Sequence, residues 1–272
     1  MAEILQVSES GYHLWKKRQS RPKTEKEQER SDLTGKILEI YIDSNCVYGI
    51  RKITRELSRK HSLRINHKTV EKILKEQGIV SKTRKKYKAT TNSKHNLPVT
   101  ENVLNREFTA LRPCQKMVSD ITYIRTDEGW LYLACVMDLY GRKIVGMAMD
   151  SSMTKELVID ALKDAKSRSG NVRGCILHSD RGTQYCSAAY QNLLHAYGFK
   201  CSMSRKGNCW DNAPMESFWG KLKQEWLNEQ HFKTRSEARK AVFEYIWIFY
   251  NNRRIHEKNG YLTPNEYYAK AA

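Results

Sequence analysis

His178-Ser179-Asp180-Arg181-Gly182-Thr183-Gln184-Tyr185 and, further on, Asn208-Cys209-Trp210-Asp211-Asn212-Ala213-Pro214-Met215-Glu216-Ser217-Phe218 decide how this chain is read. Before the first stretch, the apolar run Gly174-Cys175-Ile176-Leu177 predicts a short buried strand, with Asp180-Arg181-Gly182 as the loop leaving it. In the second, Asp211 or Asn212 can cap a helix whose first turn tolerates Pro214, so Glu216 projects from that turn. The two carboxylates are separated by 35 residues. A third, Asp120, lies within Met117-Val118-Ser119-Asp120-Ile121-Thr122-Tyr123-Ile124, which reads as a strand. Acids gathered from strand, loop and helix are what hard divalent cations require, since magnesium takes oxygen ligands from carboxylates, phosphates and water. The constellation is a candidate two-metal phosphoryl-transfer site.

At these residues the sequence resembles the DDE transposases and retroviral integrases. Ser119-Asp120-Ile121-Thr122-Tyr123, the stretch from His178 to Tyr185 and the stretch from Asn208 to Ala213 narrow this further. They closely resemble bacterial insertion-sequence transposases of the IS-three family, in the product of the second reading frame, and the resemblance covers nearly the whole chain. It implies an α/β, ribonuclease-H-like mixed-sheet catalytic core of the retroviral integrase superfamily, preceded by a small all-α helix-turn-helix DNA-binding domain. It also implies that Asp120, Asp180 and Glu216 are catalytic and bind Mg²⁺, two ions per site, with Mn²⁺ able to substitute. Lys223, seven residues after Glu216, matches a basic position of the family that would hold a terminal phosphate. Implied partners are double-stranded DNA, as terminal inverted repeats and as target, and further copies of the chain, a dimer or larger, in a synaptic complex. An upstream helix-turn-helix and leucine-zipper product is expected as a fusion or partner. The implied route is copy-out, paste-in, one cut end attacking the same strand near the other end. Tyr250-Asn251-Asn252-Arg253-Arg254-Ile255-His256 resembles the family's closing motif, but Asn259 precedes Gly260 where an apolar residue is usual.

Composition agrees with a nucleic-acid partner. The net charge is +18 and the pI about 9.6, which points to a polyanion. Residues 1–112 hold 25 Lys and Arg against 13 acids, whereas residues 113–272 hold 23 against 17, so the basic excess is concentrated early. The seven cysteines form no C-x-x-C pair, which argues against a zinc ribbon or a disulfide framework. A signal pattern and a membrane-length apolar run are both missing, so a cytoplasmic protein is expected; that it is bacterial and nucleoid-associated is what the resemblance implies.

The chain divides on paper into an N-terminal helix and polar segment (1–30), a helix-turn-helix-like domain (31–80), a basic linker (81–112), the catalytic core (113–232) and a C-terminal helix and tail (233–272). Ser8 or Ser10 starts a short helix; Gln19 to Ser31 reads as linker or exposed helix. Helical patterns follow over Leu33–Ile42, Tyr48–Leu57 and Asn66–Lys75. His67, Lys68, Lys72 and Lys75 form the exposed face of the third, suited to DNA. Arg84, Lys85 and Lys86 belong to a basic tether able to follow a phosphate backbone. Lys221 and Arg181 add positive charge near the triad, although Arg181 is equally placed to pair with Asp180.

Strands are predicted over Lys116–Arg125, Trp130–Leu139, Lys143–Asp150, Arg173–His178 and Lys200–Ser204, with helices at Thr154–Ser167 and Ala188–Tyr197. A further helix, Ser236–Asn251, carries an aromatic stripe that reads as core. Asp138 and Asp150 fall at strand ends, where turn chemistry accounts for them. His178 reads as a satisfied histidine at a strand end. Two other functions fit parts of the pattern: a metal-dependent nuclease that cuts without joining, and a catalytically silent DNA-binding regulator using residues 1–95.

Overall fold

In the first part of the chain, helix signals outcompete a polar composition. The computed structural model describes residues 8–79, 99–205 and 208–271, which divide into two compact units between Ser81 and Lys82. Helix α1 (Glu9–Ser20) opens on Ser8, whose hydroxyl accepts from the Gly11 amide at 3.1 Å. Helix α2 (Glu25–Asp43) starts at a reciprocal cap, in which Thr24 accepts from the Glu27 amide and the Glu27 carboxylate accepts from the Thr24 amide. That pairing satisfies two otherwise orphaned donors and extends the helix through residues that read as polar linker. Helices α3 (Ile50–His61) and α4 (His67–Glu76) complete the unit, α4 capped by the Asn66 side chain on the Lys68 amide. Ile37, Ile40, Tyr48, Ile53, Leu57, Val70 and Ile73 close its core.

The second unit is built on a five-stranded mixed sheet in the order β3-β2-β1-β4-β5. The strands are β1 (Lys116–Thr126), β2 (Gly129–Asp138), β3 (Lys143–Asp150), β4 (Ile176–Ser179) and β5 (Lys200–Met203). The first three form an antiparallel meander, whereas β4 runs parallel to β1 and β5 parallel to β4. The β1–β4 register runs from Lys116 opposite Ile176 to Val118 opposite His178. Asp120 therefore stands just past the paired segment, where the two strands part.

Helix α5 (Lys155–Ser169) lies close against β3. A side chain at Gly146 would bring its Cβ within 2.5 Å of the Ala161 carbonyl oxygen and the Ala165 amide, so strand and helix meet through glycine. Met117, Ala134, Val136, Leu157, Ala161 and Leu177 form the core beneath, next to α6 (Ala188–Ala196). Helix α7 (Ala213–Leu222) carries Glu216 and passes into a π-type turn over Lys223–Leu227; α8 (Arg235–Phe243) likewise passes into one over Glu244–Tyr250. A short α9 (Pro264–Ala269) follows.

The C-terminal aromatic stripe is core, as its spacing predicts: Tyr245, Phe249 and Tyr250 are buried, while Phe243 stays exposed. Between them runs an ion pair, Arg254 donating to both oxygens of Glu225, with the Tyr245 hydroxyl donating to the same carboxylate at 2.8 Å. Asn259, the departure from the family pattern, is buried and its amide donates to the Gly141 carbonyl at 2.8 Å, so the polar residue is satisfied in place. Asp138 accepts from Tyr268, Cys114 and Tyr140, the structural role expected of it. Among the described residues no helix is long and apolar enough to cross a membrane. The basic stretch with Arg84, Lys85 and Lys86 lies outside the described residues.

Because the atoms facing Gly146 are helix backbone rather than movable side chains, Gly146→Ala is expected to destabilise the second unit by about 2–3 kcal/mol. Urea unfolding followed by tryptophan fluorescence would measure it.

Candidate active site

Asp120 sits where β1 leaves β4. One carboxylate oxygen accepts from the Ile121 amide at 2.9 Å and the other from the Trp219 indole N–H at 2.9 Å. Asp180 follows the end of β4 and accepts from the Gly182 amide at 2.8 Å, a tight return in which a Cβ at Gly182 would come within 3.0 Å of the Asp180 and Gln184 side chains. Glu216 extends from the first turn of α7. Desolvation pushes the Asp120 carboxyl well up, the negative charge of Asp180 adds to it, and Glu216 adds further. Glu216 is itself pushed up by desolvation. Asp120 thus lies in the field of both other acids, which come from the loop and helix expected of them.

Among the described residues, no three His, Cys, Asp or Glu side chains already form a metal-holding cluster. That is compatible with a magnesium site, because Mg²⁺ is usually bound by one or two carboxylates plus phosphate oxygens and water rather than by an all-protein cage. The donors are all hard oxygens, and the mutual repulsion registered at Asp120 is what a cation between them relieves. The residues fit a divalent metal of this class.

Lys223 begins the π-type turn after α7, and its Nζ lies 4.9 Å from the centre of the Tyr123 ring. Burial pushes its amine down, while Tyr123 and Asp120 draw it back up, so it belongs to the electrostatics of the acids. Lys221 donates to Ser217 on its own helix at 2.8 Å, and Arg181 donates through Nε to the Ser204 carbonyl at 2.5 Å. His178 is buried between Ser202 and Ser204, 2.8 and 3.0 Å from its two ring nitrogens. Burial pushes it down to about 4, which keeps it neutral at physiological pH and fits the satisfied histidine the sequence suggested. On α4 of the first unit, His67, Lys68, Lys72 and Lys75 are exposed, Lys75 pairing with Glu71 at 3.0 Å.

The expected helix cap is a correction. Asn212 occupies the N-cap position of α7 without making a side-chain cap, and its amide donates instead to the Ser119 carbonyl at 3.1 Å. Asp211 is fully buried and accepts from Arg106 at 2.7 Å, from Asn102 at 3.0 Å, and from the Arg205 backbone and guanidinium at 2.8–3.0 Å. Two guanidiniums offer a carboxylate stronger, charge-assisted partners than a helix amide does. Side-chain hydrogen bonds from Arg205, foremost, hold Asp211 well below the usual carboxylate range. Sequence reasoning also missed Trp219. It lies three residues after Glu216, hence on a neighbouring part of the same helix face, and that spacing was the available signal.

Known proteins share these features. An integrase core domain model matches residues 110–209, a second integrase core domain model matches residues 197–264, and an HTH-like domain model matches residues 27–87. The chain is 42% identical over 267 residues to the transposase InsF for insertion sequence IS3A of Escherichia coli (strain K12), covering 98% of this chain and 92% of that one. It is a member of the IS3 family of insertion-sequence transposases. A further relative of this transposase is the insertion element IS600 uncharacterized 31 kDa protein of Shigella sonnei, 42% identical over 97% of this chain and 96% of the relative. Among solved structures, the HTLV-2 integrase catalytic core domain in complex with magnesium aligns with a TM-score of 0.46 at 16% identity, over 59% of the transposase and 99% of that domain. The transposase core is ribonuclease-H-like, with a helical HTH-like unit ahead of it.

Replacing Trp219 by Phe keeps the ring and removes the donor to Asp120. Partners that orient ligating carboxylates typically govern tenfold or more of metal affinity or activity, so Trp219→Phe is expected to raise the Mg²⁺ concentration for half-maximal DNA cleavage by about tenfold. A thermal scan should find the fold nearly unchanged.

Asp211→Ala leaves two arginines without their carboxylate and is expected to cost about 2 kcal/mol at pH 7, the half-exposed guanidiniums keeping water as a substitute. A carboxyl held low in the folded state stabilises above its unfolded pKa, near 3.9, and loses that contribution as pH falls toward the folded value. The difference between wild type and variant in urea midpoints should therefore hold steady from pH 8 to about 5 and shrink below about 4.

Proposed function

We propose that this transposase cuts and joins DNA at the carboxylates of Asp120, Asp180 and Glu216. The observation that carries the reading is Asp120, placed where β1 leaves β4, whose carboxyl is pushed up first by desolvation and then by the charges of Asp180 and Glu216. In the first step water attacks a phosphodiester at the element's end; a new P–O bond forms, the P–O bond to the 3′ oxygen breaks, and a 3′-hydroxyl is released. In the second that hydroxyl attacks another phosphodiester, one P–O bond replacing another. Asp120, Asp180 and Glu216 would hold Mg²⁺, two ions in our reading, with Mn²⁺ able to replace them. Bound there, the metal supplies the Lewis acidity that lowers the nucleophile's pKa and stabilises the leaving oxygen.

The protein's own residues do the positioning. Trp219 and the Ile121 amide fix the Asp120 carboxylate, and the Gly182 amide fixes Asp180. Lys223, joined by Arg181 and Lys221, offers positive charge to the phosphates that approach. His178 is occupied by two serines and stays neutral, so the base is not assigned to it.

The HTH-like unit supports the DNA-binding half of the reading. His67, Lys68, Lys72 and Lys75 would meet the duplex, and Arg84, Lys85 and Lys86 would neutralise backbone phosphates. The substrates are double-stranded DNA, the terminal inverted repeats and the target. Two ends joined in one event call for a dimer or larger assembly, and we retain the upstream helix-turn-helix and leucine-zipper product as fusion or partner.

Labelled element-end DNA incubated with Mg²⁺ or with EDTA tests the chemistry. Cleavage and joining should fall at least a thousandfold in Asp120→Ala, Asp180→Ala and Glu216→Ala while DNA binding persists. Cutting without joining in the wild type would move the assignment to a nuclease. Binding alone, even by the fused upstream product, would leave a regulator.

For the first unit, Lys68→Ala with Lys72→Ala should weaken DNA binding uniformly across sequences. The slope of log K against log salt should become shallower by about 2, close to one for each phosphate that is no longer neutralised. Filter binding from 50 to 200 mM salt would read it.

A further inference from the structure

Trp210 is 68% exposed, more than any other Trp, Tyr or Phe among the described residues of the second unit. Burying a ring of this size is ordinarily among the larger gains a side chain can make, and nothing in the folding of the core uses it. Yet the short 3-10 turn that carries it, Cys209–Asn212, is tied down by side-chain hydrogen bonds on both sides of the ring. On one side of Trp210, Asn208 accepts from Arg106 at 2.9 Å. On the other, Asp211 is clamped by Arg106, Arg205 and Asn102, and Asn212 is tied to β1 through the Ser119 carbonyl. The ring is displayed rather than loose.

Its surroundings fit one kind of ligand. Arg106 and Arg205 bind Asp211, the residue after Trp210, with side chains 43% and 49% exposed, two cations sharing one negative charge. From Trp210 the 3-10 turn leads through the non-helical Asn212 into α7, and Glu216 lies six residues on. At 1.5–2.0 Å per residue that is about 10 Å, or roughly three nucleotide steps of 3.4 Å. An exposed aromatic face flanked by cations is the arrangement that holds unstacked bases, and it tolerates any sequence because every base has a π face.

We infer that Trp210 is a stacking site for an unpaired nucleobase of the DNA strand within a few nucleotides of the phosphodiester at Asp120, Asp180 and Glu216, with Arg106 and Arg205 against its phosphates. The inference deepens the proposed active site and rests on that reading for its position. A displayed indole would hold a base that has left the helix end, which keeps the end open for the carboxylates to reach.

The test uses the full chain and two probes of one sequence: a blunt duplex, and the same duplex with three unpaired nucleotides at one 3′ end. Wild type is expected to bind the frayed probe about tenfold more tightly than the blunt one, and Trp210→Ala to lose that preference while its affinity for the blunt probe stays within twofold. Trp210→Phe should keep most of it. The frayed probe should also quench tryptophan emission in the wild type more than in Trp210→Phe. Since the ring is exposed, a thermal melt of Trp210→Ala should match the wild type. Equal preference in wild type and Trp210→Ala overturns the inference, as does an equal loss of affinity for both probes. Asp120→Asn separates the two readings. If it cleaves like wild type, the triad assignment fails while the preference for frayed ends still reports on Trp210. If it is inactive but keeps the preference, both stand.

Discussion

Like charges do not gather around a desolvated carboxylate without a reason, and Asp120 has two further acids acting on it. Desolvation and the neighbouring carboxylate of Asp180 both work against ionising Asp120, so the fold must hold these groups together against their own repulsion. It does so with neutral donors: the indole of Trp219, the Ile121 amide and the Gly182 amide. Hydrogen bonds to a carboxylate lower its energy without adding a positive charge that would compete with a metal. The short pairing of β1 with β4 serves the same end, since Asp120 lies just beyond it.

A second buried charge set braces this arrangement from behind. Glu225, in the turn after α7, is held by Arg254 and Tyr245 from the C-terminal segment. The helix that carries Glu216 is thereby tied to the last part of the chain, and Lys223 sits between the two anchors. Unlike the active-site acids, this pair neutralises itself; it is a brace, and its removal from either side would strand a buried charge. A π-type turn at this junction widens the helix where Lys223 turns toward Tyr123, a feature frequent at functional sites.

Much of this was legible in advance, for identifiable reasons. The three-strand meander followed by alternating helix and strand shows in the sequence because strand periodicity is strong in β1 to β3 and because Gly and Asp mark the turns. The acids stood out because an acid at the end of an apolar run is expensive unless it is used. Less visible were contacts between residues far apart in the chain. Asp211 lies next to a helix start and so resembles a cap, yet its partner Arg106 is 105 positions away. The Glu225–Arg254 pair joins residues 29 positions apart that no local pattern links. Helix α2 was half-hidden for a local reason: the Thr24–Glu27 cap sits inside a charged stretch where composition argues for a linker.

The clamp on Asp211 has an evolutionary corollary. The turn is held by its carboxylate and by Asn208 and Asn212, through bonds that do not involve the neighbouring indole. None of these bonds depends on the side chain at position 210, so on our reading of Trp210 that residue can change without undoing the clamp that displays it.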